Sequence, residues 1–574
     1  MGRGRVTLGL SAFLHESSAC LVVDGEPVAL IEEERLNRER HTSAFPEMAV
    51  AAVLEIAGID ASEIDQISFF WQPWREIREN LGLVLAHFPT SMNLLRFPSG
   101  GSEWGFFSRI RRQAGIRGEL RRRFPALRRD VPVAFIEHHL AHAASAFYPS
   151  PFEEAAILTI DGRGEGSTAL WARGRGTTID SLRAQRVPHS LGHLYAAVTD
   201  YLGLKPFFDE GTVMGLSSYG GSALELEFER LLFLRADGTF RLDLDYFDFH
   251  THGAGRWVSR RFLERFGPRR RPDEVFGQRH MDIARALQRA VEKAALHSVR
   301  GLRQETGLAN LCLAGGVTLN CVLNEAIRNS GLFANVFFQP IAHDAGAALG
   351  SALYHSHHVL GQARRLGSAR VYLGGEFSRG EIEEALSRRG LRWRRSADAP
   401  RDAARLIAEG KIVGWFQGRM EAGPRALGNR SILADPRRPE IKGILNSRIK
   451  RREWFRPFAP AVTAEAADEY FILGPEGSPH MMLAAKVREG KRSLIPGATH
   501  TDGTARVQTV SREENPRFWS LLTELGRVTG IPVAINTSFN ENEPIVATPG
   551  HALDCFERAG MDALVIGDAL VSRE

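Results

Sequence analysis

The sequence predicts an α/β protein of at least two domains, and three observations carry that prediction. The chain has 574 residues, more than one hydrophobic core serves. A strand–turn–strand–turn–strand pattern beginning at Val6 returns at Ala155. A polar, Arg-rich stretch from Gly361 to Gly367 then ends the pattern, and a new series of strands and helices begins at Tyr372. The boundary is placed near residue 365, giving domains 1–365 and 366–574.

Val6-Thr7-Leu8-Gly9-Leu10 is the first strand, followed by a turn holding His15. Ala19 to Val23 is the second strand, Asp24-Gly25 a hairpin turn, and Val28 to Ile31 the third strand. In the second copy, Ala155 to Ile160 leads into the turn Asp161-Gly162-Arg163-Gly164, then Ser167 to Trp171, then a turn at Gly174 to Gly176. A repeated meander with a phosphate-sized Gly turn suggests the duplicated fold of actin-like ATPases and sugar kinases, with a ligand between the halves.

Residues 72–130 read as a helical insertion between the meanders. It carries Trp74 and an Arg-rich run over 109–129. Acids and aromatics are not interleaved there in an RNA-reading pattern, so the run reads as a solvated helix face rather than a nucleic-acid site. Residues 281–307 have the period of a long amphipathic helix, and Asn310 to Leu313 reads as a buried strand. Gly315 and Gly316 follow it, a pair that lets backbone N–H groups approach a phosphate or an adenosine. Beyond the boundary come a helix near 402–409 and the strand Ile412-Val413-Gly414-Trp415.

Two stretches carry chemistry. In Glu137-His138-His139-Leu140-Ala141-His142 the Ala-rich context favours helix, and His138 and His142 then project from one face. Asp161 ends a buried strand and Asp344 opens a Gly-Ala helix. Two His and two Asp suit iron, manganese or zinc rather than a thiolate site. The second stretch places Arg425 and Arg430 among glycines, with Lys450 and Arg456 flanking the aromatic pair Trp454-Phe455. Arg506 follows, and Asn536 and Ser538 end a strand. Such sets clamp triphosphates or acyl phosphates through charge-assisted bonds.

Composition excludes other classes. Apolar residues make up 43% and charged residues 25%, and the formal charge is +5, so no global affinity for nucleic acid follows. Four cysteines form no CxxC, which disfavours a zinc ribbon or a disulfide scaffold and fits a reducing cytoplasm. There is no signal-peptide apolar region and no run of ~20 apolar residues, so no membrane partner is expected. Nothing in the sequence speaks to oligomeric state.

Taken together, the chain resembles the NodU/CmcH family of carbamoyltransferases, which includes antibiotic O-carbamoyltransferases. The motifs are Glu32-Glu33-Glu34-Arg35 leading to His41, His138-His139-Leu140-Ala141-His142-Ala143, Asp161-Gly162, Val213-Met214-Gly215-Leu216, Gly315-Gly316-Val317, Gly423-Pro424-Arg425-Ala426-Leu427-Gly428, Arg456-Pro457-Phe458 and Asn536-Thr537-Ser538-Phe539-Asn540. The resemblance implies an N-terminal domain like the tRNA threonylcarbamoyl-transferase, with actin-like halves, and a C-terminal YrdC-like α/β domain. It implies that the second domain makes carbamoyl adenylate from ATP with Mg²⁺ and carbamoyl phosphate, using Arg425, Arg430, Lys450, Arg456, Arg506, Asn536 and Ser538. It implies Fe(II) on His138, His142, Asp161 and Asp344, with Gly162, Gly315, Gly316 and Asn320 holding the adenylate. There the carbamoyl group passes to a hydroxyl of a small-molecule acceptor, with His15 as the candidate base. Thr212 departs from the Lys expected before Met-Gly-Leu. Two rivals share part of this pattern, a tRNA threonylcarbamoyl-adenosine synthesis enzyme and a non-catalytic actin-like ATPase scaffold. The first would show steeply salt-dependent RNA binding, and the second would have no use for the Arg-lined site.

Overall fold

A computed structural model describes residues 4–96 and 104–573, so residues 97–103 of the insertion lie outside the described residues. The chain divides into two compact units, 1–370 and 371–574.

Unit 1 holds two five-stranded sheets. In the first, β1 (Val6–Ser11), β2 (Ser18–Val23) and β3 (Glu26–Glu32) form antiparallel hairpins, and β4 (Gln66–Phe69) and β5 (Val133–Phe135) add in parallel beside β1. In the second, β6 (Glu154–Ile160), β7 (Ser167–Arg175) and β8 (Thr178–Arg186) repeat the meander. A small hairpin of β9 (Leu232–Leu234) and β10 (Phe240–Leu242) stands apart, and β11 (Asn310–Ala314) and β12 (Asn335–Phe338) add in parallel beside β6. The spatial orders, β3-β2-β1-β4-β5 and β8-β7-β6-β11-β12, are the same connectivity twice. The central strands β1 and β6 are buried along nearly their whole length and mostly apolar because both of their faces are covered.

A helix follows the last strand of each half, His138–Phe147 after β5 and Asp344–Leu353 after β12. Each packs on the sheet of the other half. Ser18 and Ser68 of sheet one reach Ala345 O at 2.9 Å and Ser351 Oγ at 3.0 Å on the second helix. His139 of the first helix meets Thr159 of β6 at 2.7 Å. The two helices touch through Gly350, where a Cβ would lie 1.7 Å from Ala141 O. Only glycine permits so close a backbone approach.

The insertion is helical at Pro73–Ala86, Phe106–Ala114 and Ile116–Arg123. Its Arg run is not uniformly a solvated face. Arg109 is 1% exposed and grips Glu76 with two bonds of 2.6 and 2.7 Å. Arg163, from the Asp161 turn, reaches Asn80 of the same insertion.

Unit 2 is built on β13 (Trp393–Arg395), β14 (Val413–Phe416), β15 (Arg430–Ala434), β16 (Ala459–Thr463), β17 (Phe471–Ile472), β18 (Ala484–Val487), β19 (Thr504–Arg506), β20 (Gln508–Val510), β21 (Val533–Ser538), β22 (Ala563–Ile566) and β23 (Ala569–Ser572). Eight of these form one sheet in the order β13-β23-β22-β14-β15-β21-β16-β20, and β17 to β19 form a small second sheet. The Ala399–Ala408 and Pro516–Thr529 helices cover one face through Ala404, Ile407, Phe518 and Leu522. The Pro549–Ala559 helix covers the other through Leu553 and Phe556.

Candidate functional site

In unit 1 the two helix starts and the β6–β7 turn deliver their polar groups to one buried point. His138 Nε2 and His142 Nε2 lie 2.9 and 3.1 Å from Asp161 Oδ2. Asp344 Oδ1 lies 3.6 Å from the first and 3.4 Å from the second. One ligand atom from each of the four lies within 4.8 Å of the others, and all four residues are buried. An ion about 2.1 Å from each donor would set neighbouring donors about 3.0 Å apart in an octahedron or 3.4 Å in a tetrahedron. The observed spacings match that range, and the nitrogen–carboxylate set suits iron, manganese or zinc. The residues therefore fit a divalent metal.

The electrostatics agree. Burial opposes charge on His142, but the carboxylates of Asp161 and Asp344 outweigh it and push the imidazole up to about 9. Burial favours a neutral Asp161, yet bonds to His138 and His142 hold it well below the usual carboxylate range. A dense packet of opposite charge is stable here only because each member faces the others.

The other Asp161 oxygen is fixed from behind. Oδ1 accepts from Gly162 N at 2.7 Å and Gly316 N at 3.2 Å. Gly315, at φ 93°, brings its backbone so near β6 that a Cβ would sit 2.3 Å from Ile160 O. Its N–H donates to Ala342 O at 2.9 Å. The Gly pair expected to face a phosphate thus spends its amides inside the protein and aims the Asp161 carboxylate. Asn320 caps the Cys321–Asn329 helix through Leu323 N and donates to Gln288 at 2.8 Å.

His15 arrives from the β1–β2 turn. Its Nε2 lies 3.8 Å from Asp344 Oδ2 and its Nδ1 3.7 Å from Glu16, and its ring stacks on Phe207 at 5.6 Å. Burial is outweighed by Asp344 and Glu16, which push His15 up to about 10. Glu165 was missed by sequence reading. It is 1% exposed and accepts from His138 N at 3.2 Å and from Gln72 N at 2.8 Å. It supplies the partner that the His138 helix lacks from its own cap residue, Glu137. Burial and the neighbouring Glu137 push its carboxyl up to about 8.

In unit 2 the loop after β14 folds back over the sheet around Glu421. This fully buried carboxylate accepts from Leu427 N at 2.6 Å, Arg430 N at 3.1 Å and Asn429 N at 3.2 Å, which sets the loop carrying Arg425. Arg430 differs from its sequence reading. It is 0% exposed, donates to the carbonyls of Gln417, Gly418, Asn429 and Gly375, and lies over the Phe416 ring, so it braces the loop from inside.

Lys450 also turns inward. Its Nζ meets Ser538 O and Asn540 Oδ1 at 2.6 Å and Asn540 O at 2.8 Å, so it holds the end of β21. Ser538 Oγ in turn donates to Asn540 at 2.8 Å. Asn536 donates to Gln508 at 2.7 Å and to Ala426 O at 3.2 Å, joining β21, β20 and the Arg425 loop. Arg425, Arg456 and Arg506 are half-buried. Arg452, missed by sequence reading, is held well below its usual pKa by burial and then by Arg456 and Arg506. Burial and then Arg452 do the same to Lys450. Cations crowd in this way where an anion neutralises them.

Comparison with known proteins bears on both units. The family model described as carbamoyltransferase N-terminus matches residues 6–353, and that described as carbamoyltransferase C-terminus matches 404–573. The nodulation protein NolNO of Sinorhizobium fredii is 38% identical over 98% of this chain and 80% of its own length. The nodulation protein NolO of Bradyrhizobium diazoefficiens is 41% identical over 76% of this chain and 79% of its own. Among solved structures, that of T. kodakarensis HypF is 14% identical, with a TM-score of 0.32, over 63% of this chain and 48% of its own.

Proposed function

Because the chain belongs to the carbamoyltransferase family and so transfers carbamoyl groups, we propose that it is an ATP-dependent O-carbamoyltransferase acting on a hydroxyl of a small-molecule natural product. Unit 1 is read as an actin-like duplicated domain, supported by the shared order of its two sheets. Unit 2 is read as the YrdC-like domain that makes carbamoyl adenylate. There carbamoyl phosphate loses phosphate to water, and the carbamate oxygen attacks the α-phosphorus of Mg²⁺-bound ATP, releasing pyrophosphate. Arg425, Arg452, Arg456 and Arg506 neutralise the phosphates, while Glu421, Arg430 and Lys450 hold the loop and strand that carry the site.

In unit 1 the acceptor hydroxyl attacks the carbamoyl carbon and AMP leaves. His138, His142, Asp161 and Asp344 would hold an iron ion, whose positive charge would polarise the carbonyl. His15 accepts the hydroxyl proton. Against burial, Asp344 and Glu16 push His15 up to about 10, which favours the protonated ring at neutral pH, so it becomes a base only when the carboxylate charge is committed elsewhere. The same raised pKa favours a second role, an imidazolium that binds the leaving phosphate.

The observation that carries the reading is the convergence of two His and two Asp beside His15, in a chain both of whose halves match the family. The test is incubation with ATP, carbamoyl phosphate and a panel of hydroxylated natural products, read by the mass gain of one carbamoyl group and by pyrophosphate release. Absence of carbamoyl-phosphate-dependent pyrophosphate release would reject the adenylate route. His15→Asn should slow transfer by roughly 10²–10⁴-fold and leave pyrophosphate release intact. Recovery by His15→Lys would favour the phosphate-binding role, and a rate within about threefold of wild type would remove His15 from both.

A further inference from the structure

The helical insertion between β4 and β5 has an outer surface that neither site uses. Its Pro73–Ala86 helix buries Glu76, Asn80 and Val84 and turns Trp74, Ile77, Leu81 and Leu85 outward. Their spacing of three and four residues lines them up as one stripe along about 16 Å of helix. Leu81 is 56% and Leu85 67% exposed, and Phe88 continues the row at 67%. One exposed Leu is ordinary, but an exposed row of large apolar side chains signals something that covers it.

The charge on this surface is one-sided. Residues 72–130 contain twelve Arg, four Glu and one Asp with no Lys, a net +7 in a chain whose total is +5. Glu76 and Glu119 are buried in pairs with Arg109 and Arg123, and Glu79 faces Arg75 and Arg186. Among the described residues of this stretch the one exposed acid is Asp130, at its very end. Arg78, Arg111 and Arg117 are exposed and have no acidic partner among the described residues.

An apolar stripe that carries Arg78 on its own helix, with further unpaired Arg on the neighbouring helices of the insertion, is the make-up of a surface that lies in a lipid interface. We infer that the insertion seats the enzyme on an anionic bilayer surface, with Trp74, Ile77, Leu81 and Leu85 at the headgroup–acyl boundary and the Arg side chains on anionic headgroups. The charge argues against the other occupants. A second copy of this chain would bring the same net +7 against itself. A nucleic acid would satisfy the Arg and leave the stripe in water.

The experiment is flotation of the full chain with vesicles of phosphatidylcholine alone and with about 30 mol % phosphatidylglycerol added. The protein should float with the anionic vesicles only, and less as salt is raised. Leu81→Asp with Leu85→Asp, and separately Arg78→Glu with Arg111→Glu, should each weaken binding about tenfold or more. Both pairs are exposed, so circular dichroism and the unfolding midpoint should stay at wild-type values. Failure of the wild type to float, or undiminished flotation of the folded stripe variant, would overturn the inference. So would a concentration-dependent dimer that Leu81→Asp dissociates, or tight binding of an RNA oligonucleotide that the stripe variant keeps.

Discussion

Asp161→Asn separates the two jobs of one carboxylate. Oδ1 accepts from Gly162 N and Gly316 N at 2.7 and 3.2 Å, while Oδ2 faces the two imidazoles at 2.9 and 3.1 Å. An amide has one acceptor oxygen. The two fixed N–H donors claim it, which turns the NH₂ group toward His138 and His142, where a metal needs a lone pair. Replacing two charge-assisted bonds with neutral ones costs about 1 kcal/mol each, about 2 kcal/mol in all. That lowers the unfolding midpoint of the metal-free protein by a few °C and leaves it folded. Metal affinity should fall by more than the roughly 10–100-fold that loss of a supporting partner costs, because a donor itself is gone. The assay is the metal-to-protein ratio after dialysis, beside thermal unfolding of both metal-free proteins. A variant that keeps one equivalent of metal would show that Oδ2 is not a ligand, and one that does not fold would show that the glycine amides require the full charge.

Two further outcomes follow from the same sites. His142 is raised to about 9 in the ion-free centre, so metal must displace its proton, and apparent affinity should drop about tenfold per pH unit as pH is lowered from about 8 to about 6; titrations with equal affinity across that range would mean the site is already deprotonated. Arg456→Ala should cut carbamoyl-phosphate-dependent pyrophosphate release by about 10²-fold or more, with transfer from preformed carbamoyl adenylate unchanged; normal release would make Arg456 a surface charge.

Much of unit 1 was legible because its signals are local. β1 and β6 are short apolar runs closed by turn residues, and the Ala-rich context of His138 and His142 fixes a helix whose face follows from spacing alone. The four candidate metal donors lie in three separate stretches, and each stretch announces its own strand end or helix start. What sequence could not show is where a cation points. Arg425, Arg430, Lys450 and Arg456 look alike among glycines and aromatics. In the fold, Arg430 and Lys450 are consumed by main-chain carbonyls, which depends on strand pairings far apart in sequence. Glu421 and Glu165 were missed for the same reason, since their partners are backbone amides and carry no side-chain signature. Arg109 is buried because Glu76 lies 33 residues away on another helix of the insertion, beyond the reach of any helical period. The stripe of the Pro73–Ala86 helix has its helical spacing written in the sequence, but the same spacing marks a buried face, so only the fold shows that it is exposed.

The exchange of helices between the two halves of unit 1 has a mechanical consequence. By chain order the first half owns His15, His138 and His142, and the second owns Asp161 and Asp344. By packing, His138, His142 and Asp161 ride on sheet two, while His15 and Asp344 ride on sheet one. Neither half holds a complete donor set under either division, and neither can leave without stripping a helix from its neighbour. Unit 1 is thus interlocked like two clasped hands, with the four candidate metal donors where the fingers cross. Melting either sheet dismantles the centre, so on heating at a pH and metal concentration that keep the site filled, loss of bound metal should coincide with unfolding of the whole unit.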